Sequence, residues 1–151
     1  MEKETLRFYI LGSMLLFASL LQFFDIAIFG VIPDFVLVIV VLAALLLRDL
    51  WHVLLLLSVA TFLLKFSPGV ERDIIAFFFV GVALVLGEKK LPWHILVNGI
   101  FLTICATTAL YVFVDRMAIP SLMFAMELGY NVVITYALYY ALTSFRLFRH
   151  R

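Results

Sequence analysis

Cysteine, charge and recognisable catalytic motifs are all scarce in this chain of 151 residues. The single cysteine, Cys105, lies in an apolar stretch with no partner in the chain, which excludes a disulfide framework and a Cys-based metal site. Charged residues are 14% of the total and gather in short clusters between apolar runs, too few to cover a soluble fold. There is no His-Glu-x-x-His, no Gly-x-Ser-x-Gly and no Gly-rich phosphate loop, and no serine has a histidine at the same depth in its segment. No enzymatic activity and no cofactor are therefore expected.

What is present is hydrophobic sequence: 66% of residues, with a mean hydropathy of +1.20. The chain reads as an all-α integral membrane protein, a single transmembrane helical domain over residues 1–151, with room for about six helices of ~20 residues. Six apolar segments can be drawn, at 8–29, 33–47, 50–64, 74–87, 93–114 and 117–142. The second to fourth fall below the usual ~20 residues, so they must borrow polar flanks, thin the bilayer or lie inside the bundle. Reading the second and third as one helix would give a rod of about 48 Å with Arg48 and Asp49 deep in lipid; a tight hairpin is the better reading. Lys3 and Arg7 before the first apolar run resemble a signal peptide, but the run is long and lacks a small-x-small cleavage site, so a retained span is expected.

The basic residues give an orientation. With six spans and the N-terminus inside, Lys3, Arg7, Arg48, Lys89, Lys90, Arg146, Arg149 and Arg151 are cytoplasmic, and only Lys65, Arg72 and Arg116 are external, as the positive-inside bias requires. Such a spread along one membrane edge sets topology and offers no nucleic-acid patch. Tyr9, Trp51 and Trp93, spaced by 42 residues, mark the cytoplasmic starts of the odd-numbered helices; equal hairpin lengths with interfacial aromatics explain this better than duplication. Pro33 and Asp34 suit the first turn of the second helix. Ser67, Pro68 and Gly69 break the chain before the fourth, which Glu71 and Asp73 open, and Gly87 and Pro92 bracket an inner turn. Pro120 lies near the start of the sixth.

Glu127 and Asn131 are one turn apart in the last apolar segment, where a lone ionisable group is costly. Two readings are open: a proton-linked or ligand-binding pair, or interhelical hydrogen bonding in which Asn131 orients Glu127. Asn98, Thr103, Thr107 and Thr108 in the fifth segment are the candidate partners, 103 and 107 sharing a face. Gln22, Asp25, Asp34, Glu71, Asp73 and Asp115 are read as solvated external helix ends. His52 and His94, without a third ligand, make a poor metal site. The Asn- and Asp-containing motifs of a membrane aspartyl signal peptidase, an enzyme of similar length, are missing.

Several of these features recur together in one family. VIPDFVLVIV at 31–40, the short paired helices after it, the break at 67–69 and MELGYNVVITYAL at 126–138 together resemble the MreD rod-shape-determining family, which shows Pro-Asp near the start of its second helix and Glu-Leu-x-Tyr-Asn in its last. Lys65 stands where that family often has an acidic residue. The resemblance implies a non-enzymatic component of the bacterial inner membrane and the cell-elongation machinery, held by an MreC-like protein and linked through it to an MreB-like cytoskeleton and peptidoglycan synthases. It carries Glu127, Tyr130 and Asn131 over as the last-helix motif, and Pro33 and Asp34 as the second-helix motif. The family's fold is similar to that of the vitamin-binding subunits of energy-coupling-factor transporters; such a subunit, or a small proton-coupled transporter using Glu127, is the alternative expectation.

The orientation is testable by cysteine accessibility on a Cys105→Ala background. Lys89→Cys should resist an impermeant thiol reagent added outside intact cells and react once the membrane is opened; labelling from outside would defeat the six-span orientation.

Overall fold

The computed structural model describes residues 2–24, 27–64, 71–114, 119, 121–145 and 148, with the side chains of 2, 71 and 72 left aside. Among them are six helices and no strand: α1 (Glu2–Phe23), α2 (Phe35–Leu46), α3 (Leu50–Leu64), α4 (Glu71–Glu88), α5 (Ile95–Val114) and α6 (Leu122–Ser144). Three of them, α1, α5 and α6, are long and apolar enough to cross a membrane. Hydroxyls in the helices are satisfied internally: Ser13, Ser19, Ser58, Thr61, Thr143 and Ser144 each donate to the carbonyl four residues earlier, as an environment without water demands.

The centre of the bundle is α2. It packs against all five other helices, and every residue from Val36 to Leu46 is buried. Its sequence is rich in Val and Ile, which on propensity alone favour strand; with no water to take up its backbone groups, only a helix satisfies them within the segment. At 12 residues, or about 18 Å, it is too short to span, and its enclosure by protein removes the need. Of the three remedies for short segments, lying inside the bundle is the one α2 uses.

Both ends of α2 are closed by side chains. At the first turn, Leu37 N donates to the Asp34 carboxylate at 2.9 Å, Val36 N to Gln22 Oε1 at 3.4 Å, and Phe35 N to Pro33 O at 3.0 Å. At the other end Arg7 Nη1 reaches Leu46 O at 3.5 Å, with its guanidinium over the Phe148 ring. The chain then turns through residues 47–49, where Glu4 Oε1 accepts from Arg48 N at 2.6 Å and Asp49 caps α3 by accepting from Trp51 N at 3.0 Å. The expected hairpin at Arg48 and Asp49 is therefore present, with α3 over the residues assigned to it.

Other boundaries move. The first helix stops at Phe23 rather than 29, because residues 28–31 form a tight turn: Ile28 and Val31 exchange both backbone hydrogen bonds, at 2.7 and 3.1 Å, while Phe29 and Gly30 take φ of 51° and 82°. Pro33 precedes the cap of α2 instead of entering its first turn; the cap is Asp34. The sixth helix begins at Leu122, capped by Ser121, whose hydroxyl accepts from Phe124 N at 3.1 Å, later than residue 117. The break at Ser67, Pro68 and Gly69, and Asp25, Lys65, Asp115, Arg116, Pro120, Arg146, Arg149 and Arg151, lie outside the described residues.

The α3–α4 contact depends on a glycine. A Cβ at Gly81 would run into the side chain of Leu57, which is fully buried and would have to shift against its packed neighbours. Gly81→Val should destabilise the fold by about 1–3 kcal/mol, the usual cost of overpacking, read as a lowered thermal unfolding midpoint in detergent; Gly87→Val, where a Cβ meets nothing, is the control.

Candidate functional site

The polar residues of α5 and α6 are spaced by four, so each set forms one stripe along its helix. Antiparallel packing sets the two stripes against each other in three rungs. Thr103 Oγ1 and Thr135 Oγ1 are 3.0 Å apart, Asn131 Nδ2 donates to Thr107 Oγ1 at 3.2 Å, and Tyr111 OH donates to Glu127 Oε2. Thr103, Thr107, Asn131 and Thr135 are all buried; Tyr111 and Glu127, at the end of the ladder, are half-buried. The Tyr111 ring is held edge-on against Phe124, with centroids 4.9 Å apart.

Asn131 is the hub. While its amide nitrogen holds Thr107, its Oδ1 accepts the backbone N–H of Asp34 at 2.9 Å, joining the α5–α6 ladder to the head of α2. Asp34 then accepts from Leu37 N, while Gln22 of α1 accepts from Val36 N one residue earlier. Four helices thus converge on one cluster made of Gln22, Asp34, Thr107 and Asn131.

This geometry corrects several expectations. Asn131 does not orient Glu127; it binds Asp34 and Thr107, and Tyr111 is the partner of Glu127. Asp34 is a partly buried junction, and Gln22 is its neighbour and a helix cap, so neither is a solvated helix end. Asn98 belongs elsewhere: its Nδ2 reaches Leu91 O at 3.4 Å and its Oδ1 has no partner among the described residues. Tyr130, half-buried, and Thr108 make no side-chain hydrogen bond among the described residues. His94 uses Nδ1 to accept from Leu96 N at 3.3 Å, whereas His52 Nδ1 lies 2.9 Å from Asp49 Oδ2 without hydrogen-bond geometry. No group of three His, Cys, Asp or Glu side chains capable of holding a metal occurs among the described residues.

Thr103 and Thr107 do share a face and do meet Asn131's helix, as their spacing predicts. Thr135 and Tyr111 were missed, and Gln22 was placed at a solvated helix end. Continuing the four-residue spacing by one step from Asn131 and from Thr107 finds the first two; Gln22 carries no such signal, because it acts across helices. Two lateral grooves, of about 330 Å³ between α4 and α5 and about 390 Å³ between α1, α2 and α6, have almost wholly apolar walls, and neither is lined by a ladder residue. Chemically, the cluster can exchange hydrogen bonds and hold helices in register. The chain matches no protein-family model, no curated protein and no solved structure.

The junction makes a ranked prediction for stability in detergent. Asp34→Asn keeps a side-chain acceptor and should be near neutral, whereas Asp34→Ala should cost about 0.5–2 kcal/mol as a lost N-cap. Asn131→Leu leaves the Asp34 N–H without its buried acceptor and should cost about 1–3 kcal/mol. Equal thermal stability of Asn131→Leu and the parent would remove Asn131 from its position as hub.

Proposed function

We propose that the protein is a non-enzymatic, multi-pass scaffold of the bacterial inner membrane, MreD-like, crossing six times with both termini in the cytoplasm. It would act in the cell-elongation machinery with an MreC-like membrane protein and, through it, an MreB-like cytoskeleton and peptidoglycan synthases. One observation carries the reading. The two short motifs on which the resemblance rests, Pro33-Asp34 and the 127–131 stretch of the last helix, are far apart in sequence and joined by the Asp34 N–H to Asn131 Oδ1 bond. A chance likeness in permissive apolar sequence gives no reason for them to meet.

The use made of the polar groups supports a scaffold over a transporter. Asn131, Thr107, Thr103, Thr135 and the Asp34 carboxylate spend their hydrogen bonds on one another and on α2. A vitamin-binding subunit would present such groups to a ligand pocket, and a proton-coupled transporter would give Glu127 a path to exchange its proton.

Depletion should round or widen rod-shaped cells, and purification under mild detergent should retain an MreC-like protein. Stoichiometric binding of a vitamin, with normal cell shape on depletion, would instead favour the transporter subunit. Within the scaffold reading Glu127 is interhelical glue: Glu127→Gln keeps an acceptor for Tyr111 and should complement near-normally, while Glu127→Leu and Tyr111→Phe should each be partly impaired. Membrane hydrogen bonds of this kind average about 0.6 kcal/mol, so partial loss is the expected size. Complete loss with Gln, at normal protein level, would move proton coupling ahead.

A further inference from the structure

The turn at 28–31 has a chemistry that water does not explain. A two-residue turn with both central residues at positive φ is normally built from Asn-Gly or Asp-Gly, yet here the first central residue is Phe29, at φ 51°. A bulky L-residue in that region is an outlier. The strain is accepted to display the ring: Phe29 is 89% exposed, the largest value among the exposed large hydrophobic residues. Its surroundings are equally apolar. Residues 27–32 read Ala-Ile-Phe-Gly-Val-Ile, without one polar side chain, and Phe23 and Phe24, stacked edge-on nearby in sequence, are also exposed.

The helix lengths fix the depth of this turn. α1 and α2 are aligned at one end, where Arg7 reaches Leu46 O and Glu4 reaches Arg48 N. At the other end Gln22 Oε1 of α1 accepts from Val36 N of α2 at 3.4 Å, so the end of α1 and the start of α2 are level to within a side chain's reach. The apolar part of α1, from Phe8 to Phe23, is about 24 Å long, most of the ~30 Å hydrocarbon layer. Its far end and the head of α2 therefore both lie near the membrane boundary. The turn, which ends three residues before Asp34, belongs to the same level.

We propose that residues 27–32 form an interfacial wedge that seats Phe29 at the acyl-chain boundary of the leaflet opposite the α2–α3 turn. Lipid fits this surface better than a protein does. A protein partner is recognised through a polar rim with hydrogen bonds, and this turn offers none from side chains, while Ile28 and Val31 spend backbone groups on each other. Acyl chains require no directional contact, and aromatic rings are favoured at that level. The wedge depends on the chain spanning a bilayer and not on its place in any cell-shape complex, so it stands or falls separately from that function.

The test is depth-resolved fluorescence in vesicles of phosphatidylcholine and phosphatidylglycerol. In a Trp51→Phe, Trp93→Phe background, Phe29→Trp supplies the only indole; Ala27→Trp, at an exposed position on the same turn, supplies a second reading if the first variant folds poorly. The expected result is blue-shifted emission, quenched several-fold more by lipids brominated high on the acyl chain than by aqueous iodide. Emission typical of water with the opposite quenching order, in either well-folded variant, would overturn the proposal and return the turn to solvent or to a protein partner.

Discussion

A helix that ends inside a membrane protein leaves unpaired amide groups at one end and unpaired carbonyls at the other, where no water can reach them. The architecture of this protein is arranged around that constraint. α2 is wholly enclosed, and its ends are closed by other helices: Gln22 and Asn131 at the head, together with its own cap Asp34, and Arg7 at the tail. Arg7 and Gln22 both belong to α1 and are 15 positions apart, about 22 Å along a helix. That is the length of α2 plus the reach of a side chain at its ends. α1 thus works as a brace cut to the length of the helix it holds, and moving either residue by a turn would leave one end of α2 open.

The α5–α6 ladder should be understood in the same terms. At an average of about 0.6 kcal/mol per interhelical hydrogen bond in a membrane, three rungs contribute little beside the apolar packing around them. Their larger effect is on register. Sliding α6 by one residue rotates its polar stripe by about 100° and points Glu127, Asn131 and Thr135 toward α5's apolar side or lipid, an expensive alternative. Asn131 converts that register into support for α2, because the side chain that makes the rung to Thr107 also accepts the Asp34 N–H. The ladder fixes a position, and the position completes a cap.

Much of this could be read from the sequence, and the failures share a cause. Hydropathy located all six helices, with α3 matched residue for residue, because lipid-scale apolar runs are strong signals. The helix starts and stops were weaker: apart from Asp25 the sequence stays apolar from Phe23 through Ile32, so composition alone could not detect the turn that Phe29 makes without a Gly or Asn in its place. Glu127 and Asn131 stood out as polar residues in an apolar field, and the spacing of Thr103 and Thr107 showed which face would meet them. Asp34 and Gln22 were assigned to solvent because helix ends are usually wet. That inference fails when a helix end is enclosed by its neighbours, and the shortness of the 33–47 segment was the available warning.

A buried helix held at both ends by its neighbours also bears on the choice between a scaffold and a carrier. Alternating access requires one part of a bundle to rock against another, and here α6 is tied to α2 through Asn131, α1 is tied to both ends of α2, and α5 is tied to α6 through three rungs. Any movement of α6 away from α2 leaves the Asp34 N–H buried without an acceptor, at about 1–3 kcal/mol, and uncouples Thr107 in the same step. Rocking would have to break this junction in every cycle, and the two lateral grooves among the described residues, lined almost wholly by apolar side chains, cannot take over its hydrogen bonds. A body so tied is suited to presenting fixed surfaces within the bilayer, which is what an assembly partner needs and what a carrier has to give up.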